Sequence, residues 1–217
     1  MIINFIHIPK TGGINFRPQE GVLPKLISSK HEYKYIKHNK GLIVDPKDEK
    51  GIFVCMVRNP WDRMVSIYKY FNKPYRLMYI DGNESGERCY HSIAHAKIYN
   101  QTFAQFVSNY DAIRRSMVWP HYSHFVSQCR YIYRRRDVAV DRIMRFENYT
   151  DDIHEFLKDM GIIGPNEEVH LPILNSTDHP HYTTYYDNAG LIEKVGKIFK
   201  KDVINFGYEF NSKGVSK

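Results

Sequence analysis

The chain opens on an apolar run, Ile2, Ile3, Phe5, Ile6 and Ile8. A short β-rich run of this kind predicts a strand covered on both faces. Pro9 stops it, and Lys10-Thr11-Gly12-Gly13 comes next. Gly51–Val57, read GIFVCMV, repeats the pattern and runs straight into Arg58-Asn59-Pro60-Trp61-Asp62-Arg63. Asn59 suits a helix N-cap, Pro60 the first helical position, and Asp62 the positive end of the helix dipole. Trp61, Met64, Val65, Tyr68 and Phe71 then lie on one apolar face at helical spacing.

Weaker signals fill the intervals. Val22, Leu23, Leu26 and Ile27 predict a short helix, and Tyr33–His38 alternates aromatic or apolar with basic residues, as a brief strand ending at His38 would. Residues 73–98 are polar and irregular, an excursion expected to lie over the site. Phe103, Phe106, Val107 and Tyr110 predict a helix after Thr102. Val138–Phe146 reads as another strand with a polar break at Asp141-Arg142, and Ile153, Phe156, Leu157 and Met160 mark a helix ended by Gly161. A last helix is expected over about Asn188–Lys201.

At 217 residues the chain suits one domain spanning 1–217, with a substantial core. The three cysteines, Cys55, Cys89 and Cys129, are too few and too scattered for a disulfide framework. There is no apolar run of transmembrane length and no signal-peptide pattern, so a cytoplasmic location is the expectation. Charge changes the picture more. A net +7 and a pI near 9.1 argue for an anionic partner: a nucleotide, a nucleic acid, an acidic glycan or a membrane surface. The 17 Tyr and 12 Phe favour a site that stacks on rings.

The two strand exits are where such a partner would bind. Gly12 and Gly13 let the backbone approach a ligand closely. A helix beginning near Ile14 would turn its N–H groups back into the loop, and Lys10 would add a full charge. This is not the P-loop pattern, because the lysine precedes the glycines and no Gly-Lys-Ser/Thr comes after them. On these residues alone, an ordinary strand–turn with a surface lysine stays open. Ser66 lies eight positions beyond Arg58, about two helical turns on, so both could face one bound group. His179 and His181 form a lone H-x-H and read as a polar loop feature, not as zinc ligands.

With both exits in hand, the chain resembles the sulfotransferase family that includes the heparan and chondroitin sulfotransferases. The matching residues are His7-Ile8-Pro9-Lys10-Thr11-Gly12-Gly13, and Val57–Arg63 with Ser66. Arg145-Phe146-Glu147-Asn148, Leu171–Asn175, Tyr185-Tyr186 and Phe206-Gly207-Tyr208 come after them in family order. The resemblance implies an α/β, P-loop-NTPase-like three-layer fold, a mainly parallel sheet flanked by helices. It also implies 3′-phosphoadenosine 5′-phosphosulfate (PAPS) as sulfuryl donor and a hydroxyl-bearing acceptor such as a glycan. No nucleic-acid partner is expected, and no metal, since the group moved is singly charged. Family members in secretory compartments carry a membrane anchor; here no transmembrane anchor is expected, a departure that suggests a compact soluble version.

By the same resemblance, Lys10, Thr11, Gly12 and Gly13 hold the 5′-phosphosulfate, while Arg58 and Ser66 hold the 3′-phosphate. Lys10 also meets the charge that grows on the leaving oxygen. The family takes its general base, a histidine, from after the second strand. His38 fits by position, with His31 second. One departure stands out: where relatives carry Thr or Ser after the glycines, this chain has Ile14 and Asn15, so a hydroxyl contact to the donor is either missing or supplied by Asn15 or by backbone N–H groups. The competing readings are a nucleotide or small-molecule kinase, which lacks Gly-Lys-Ser/Thr and an acidic partner for magnesium, and a basic nucleic-acid-binding module, which leaves both exits unexplained.

Overall fold

The computed structural model describes residues 1–36, 50–73, 95–117, 121–134, 137–172 and 180–211. Four strands make the central sheet: β1 (Ile2–Ile6), β2 (Glu32–Ile36), β3 (Ile52–Val57) and β6 (Arg142–Arg145), in the order β2-β1-β3-β6. Every neighbouring pair is parallel, with Ile6 opposite Ile36 on one side and Cys55 on the other. A small antiparallel pair, β4 (Tyr133–Arg134) and β5 (Asp137–Val138), lies outside it.

Alternation along the strands sends side chains to two separate cores. Ile3, Phe5, Val54, Met56 and Met144 meet Leu23 and Ile27 of α1 (Leu23–Ser28), with Ile153, Phe156 and Leu157 from a helix beyond β6. Phe53, Cys55 and Val57 face the other way. They share a core with Met64, Ile67 and Phe71 of α2 (Pro60–Phe71), and with Phe106, Val107 and Tyr110 of α3 (Phe103–Ser116). Helices thus cover both faces of an all-parallel sheet, the α/β arrangement expected from the largely apolar runs of its two central strands, β1 and β3.

Further helices among the described residues include α4 (Cys129–Ile132), α5 (Tyr149–Asp159), α6 (Ala189–Ile198) and α7 (Lys200–Phe206). Helix α3 carries a capping box in which Thr102 and Gln105 exchange side chain-to-backbone bonds. Three sequence expectations change. The helix expected near Ile14 is a single 3-10 turn, Gly13–Phe16, because Arg17 and the tight return at Gly21 end it before an α-turn closes. Val138–Phe146 is not one strand. The Asp141 carboxylate accepts the Phe53 N–H at 2.7 Å, and its own N–H reaches the Phe53 carbonyl, so the polar break separates β5 from β6. The last helix breaks at Phe199, which is buried in the core and caps α6 while starting α7.

Candidate functional site

The strand order reverses direction at β1. From there the chain goes to β2 on one side, and β3 lies on the other. Helix α1 packs on one face and α2 on the opposite face. In open parallel sheets such a switch leaves a crevice at the carboxyl ends of the two strands, and ligands bind there. Both glycine-loop and arginine-loop residues leave the sheet at that crevice.

The β1 exit is built from backbone. Lys10 and Gly12 both take left-handed conformations, φ 69° and 84°. For Lys10 that costs on the order of 1–3 kcal/mol, and Gly12 has no room for anything larger, since a Cβ there would lie 2.6 Å from the Phe146 ring. A Cβ on Gly13 would lie 2.7 Å from the His7 ring. The Thr11 hydroxyl turns inward and donates to the Ile8 carbonyl at 2.9 Å. Ile14 is half-buried, and Asn15 is buried, its amide donating to the Tyr149 hydroxyl and the Pro172 carbonyl at 2.9 and 3.0 Å. Both Asn15 amide hydrogens are therefore committed within the fold.

The Lys10 ammonium sits over the Tyr70 ring, 4.4 Å from its centroid. Burial, and then the charges of Arg58, Lys73, Arg17 and Arg63, hold its pKa down at about 7. All four of those neighbours are positive, so Lys10 stands in a field that an anion would relieve.

The β3 exit is built from side chains. Asn59 caps α2 by accepting the Trp61 N–H at 3.0 Å. Gln128 holds both backbone groups of Arg58: its carbonyl oxygen accepts the Arg58 N–H at 2.9 Å, and its amide donates to the Arg58 carbonyl at 2.8 Å. Asp202 in turn fixes Gln128, accepting from the Ser127 hydroxyl and from the N–H groups of Gln128 and Cys129. The Arg58 guanidinium lies on the Phe146 ring at 4.1 Å, and Nη1 reaches to 3.5 Å from the Lys10 carbonyl. Ser66 is 4% exposed on α2. Arg63, fully buried, donates to the carbonyls of Pro9, Val126 and His124, tying the two exits together, and burial lowers its pKa.

Stretches far apart in the chain converge here. The Glu147 carboxylate accepts the Asn59 N–H and the Tyr208 hydroxyl, and burial raises its pKa. Arg145 donates to the Phe206 carbonyl and lies over the Tyr208 ring. The Tyr186 hydroxyl donates to the Trp61 carbonyl in the first turn of α2. The Tyr149 hydroxyl bridges Asn15 and Gly12.

Lys10, Thr11, Gly12, Gly13 and Arg58 are therefore brought to one crevice, while Ser66 lies buried on α2, in the helix that starts from the β3 exit. His38 and His179 lie outside the described residues, as do Ile173–Asn175 of the Leu171 stretch. His31 does not join the crevice. It precedes β2, at the amino end of the parallel sheet, and its Nε2 lies 2.7 Å from the Met160 carbonyl. The sequence reading missed Gln128 and Asp202 as the frame of Arg58, and it gave Asp62 only a dipole role. The i,i+4 spacing of Arg58 and Asp62 was the available signal for that pair. Nothing in local pattern pointed to Gln128, 70 residues from its partner.

Among the described residues no helix is long and apolar enough to cross a membrane. Neither a search of curated proteins nor a search of solved structures gives a match. A family model described as the sulfotransferase family matches residues 4–209, nearly the whole chain, so the chain belongs to the sulfotransferase family, whose chemistry is sulfuryl transfer.

Proposed function

We propose that the protein is an O-sulfotransferase that takes the sulfuryl group of PAPS to a hydroxyl of a carbohydrate or similar acceptor. The observation that carries this reading is the meeting of two cationic strand exits at one crevice, with Arg58 Nη1 3.5 Å from the Lys10 carbonyl. A nucleotide phosphorylated at both ends needs two such exits side by side. The fit also rests on Gly12, where the ring of Phe146 leaves space for backbone only, and on a lysine whose pKa is lowered by burial and by four nearby cations.

The donor brings a sulfuryl group already joined to a phosphate leaving group. Lys10 would stabilise charge on the oxygen that leaves as the S–O bond to phosphate breaks, helped by the N–H groups of the 3-10 turn. Arg58 and Ser66 would hold the 3′-phosphate, and arginine suits that task because its planar fork matches a phosphate edge. His38, two positions beyond β2, would take the acceptor proton as the new S–O bond forms. The reading needs no metal for the transfer of a singly charged group.

The test is calorimetric titration with adenosine 3′,5′-bisphosphate. Arg58→Ala and Lys10→Ala should each weaken binding by roughly tenfold or more, the loss of a hydrogen bond to a charged group. Undiminished affinity in both variants would overturn the donor assignment. Greater thermal stabilisation by ATP–magnesium or by single-stranded DNA than by the bisphosphate would point instead to the kinase or the nucleic-acid module. His38→Ala should cut turnover by about 10²–10⁴ while sparing bisphosphate binding; full turnover would remove His38 from the mechanism. Mass spectrometry of candidate glycans incubated with PAPS identifies the acceptor.

A further inference from the structure

Arg58 is not an unrestrained cation waiting for a ligand. Asp62, one helical turn further on, accepts from Nε and from Nη2 at 2.8 Å each, a two-pronged ion pair. Both side chains are nearly buried, 11% and 14% exposed. Phe146 covers one face of the guanidinium, and Gln128 clamps the backbone from which the side chain springs. A guanidinium has five N–H donors. Asp62 occupies one on Nε and one on Nη2, and the Lys10 carbonyl lies 3.5 Å from Nη1, a long contact that takes at most one more, so a donor on Nη1 and the second on Nη2 are left on the side away from Asp62. That side faces the β1 exit, where Nη1 approaches the Lys10 carbonyl.

We infer that Asp62 is a positioning residue for 3′-phosphate recognition: by engaging the Nε side of Arg58, it presents the Nη1–Nη2 edge to the phosphate. The arrangement is pre-organised, since the fork is locked before any ligand arrives and less freedom is lost on binding. It also explains why an acid can stand beside an arginine that must bind an anion. The carboxylate uses the edge a phosphate would not, and the remaining edge keeps a donor on Nη1 and one on Nη2.

This inference rests on the donor reading above, and two ligands separate the two. Adenosine 3′,5′-bisphosphate and adenosine 5′-monophosphate differ only in the 3′-phosphate. Wild-type protein should prefer the bisphosphate; no preference would end the donor reading and this inference together. Given that preference, Asp62→Asn should lower bisphosphate affinity by roughly tenfold or more while monophosphate affinity moves less than threefold. Equal losses for both ligands would mean a general structural role, and no loss, or tighter bisphosphate binding, would mean that Asp62 does not orient the fork. Each of these results overturns the inference. Should Asp62→Asn fail to fold, Asp62→Glu carries the test, since the longer side chain keeps the charge but shifts the guanidinium. The preference should then fall at least threefold, and an unchanged preference overturns the inference.

Discussion

Lys10 and Arg58 leave neighbouring parallel strands at the same edge of the sheet, yet one is held by strained backbone and the other by a frame of side chains. At the β1 exit, two left-handed positions flanking Thr11 bend the chain tightly, and the lysine head rests on an aromatic ring among other cations. At the β3 exit the backbone is an ordinary capped helix start, Gln128, Asp62 and Phe146 fix the arginine from three directions, and Glu147 holds the N–H of the next residue, Asn59. The contrast matches the chemistry proposed for each end of the donor. Where charge changes during transfer, a lysine with a lowered pKa can respond. Where charge is constant, a guanidinium that never deprotonates is held still.

The sharpest way to break the contrast is to compare what each exit does to rate. Lys10→Ala should lower the single-turnover rate at saturating donor by about 10²–10³, the usual cost of one donor aimed at developing charge. Arg58→Ala should act mainly on donor affinity. Equal effects on rate would erase the division of labour.

A smaller effect is expected from the frame. Gln128→Leu leaves the buried N–H and carbonyl of Arg58 without partners, which costs about 1–3 kcal/mol. It should lower the melting temperature and loosen bisphosphate binding, with little effect on the single-turnover rate. A rate loss as large as that of Lys10→Ala would show that Arg58 also takes part in the chemical step.

The mildest test is pH. Lys10 has a pKa lowered to about 7, first by burial and then by Arg58, Lys73, Arg17 and Arg63. An anion favours the protonated ammonium. Below about 7 the free site is already charged, and Lys10 adds no pH dependence to binding. Above it, binding must take up a proton, so bisphosphate affinity should fall by at most tenfold per pH unit. Calorimetry in buffers of different ionisation enthalpy would count that proton. Lys10→Arg, whose charge does not titrate in this range, should flatten the profile; an unchanged slope would place the titrating group elsewhere.

Much of the site could be read from the sequence, because a strand exit is a local event. An apolar run, a stop at Pro9 and paired glycines, or an apolar run leading into Asn59-Pro60, encode a strand and its exit within a dozen residues. The helical face from Trp61 to Phe71 was legible for the same reason, and so were the two sides of the sheet, since alternation sorts Phe5 and Val54 from Cys55 and Val57. Tertiary structure decided the rest. Parallel pairing put Lys10 beside Arg58 and left His31 at the far end of the sheet. A bond from Asp141 to Phe53 divided a predicted strand, and the burial of Phe199 split a predicted helix. Gln128 and Asp202 frame the arginine from 70 residues and more away. Short-range pattern records only which face a residue prefers and where a segment stops. Which buried donor meets which acceptor is settled when separate segments pack, and that pairing leaves no periodic trace in the chain.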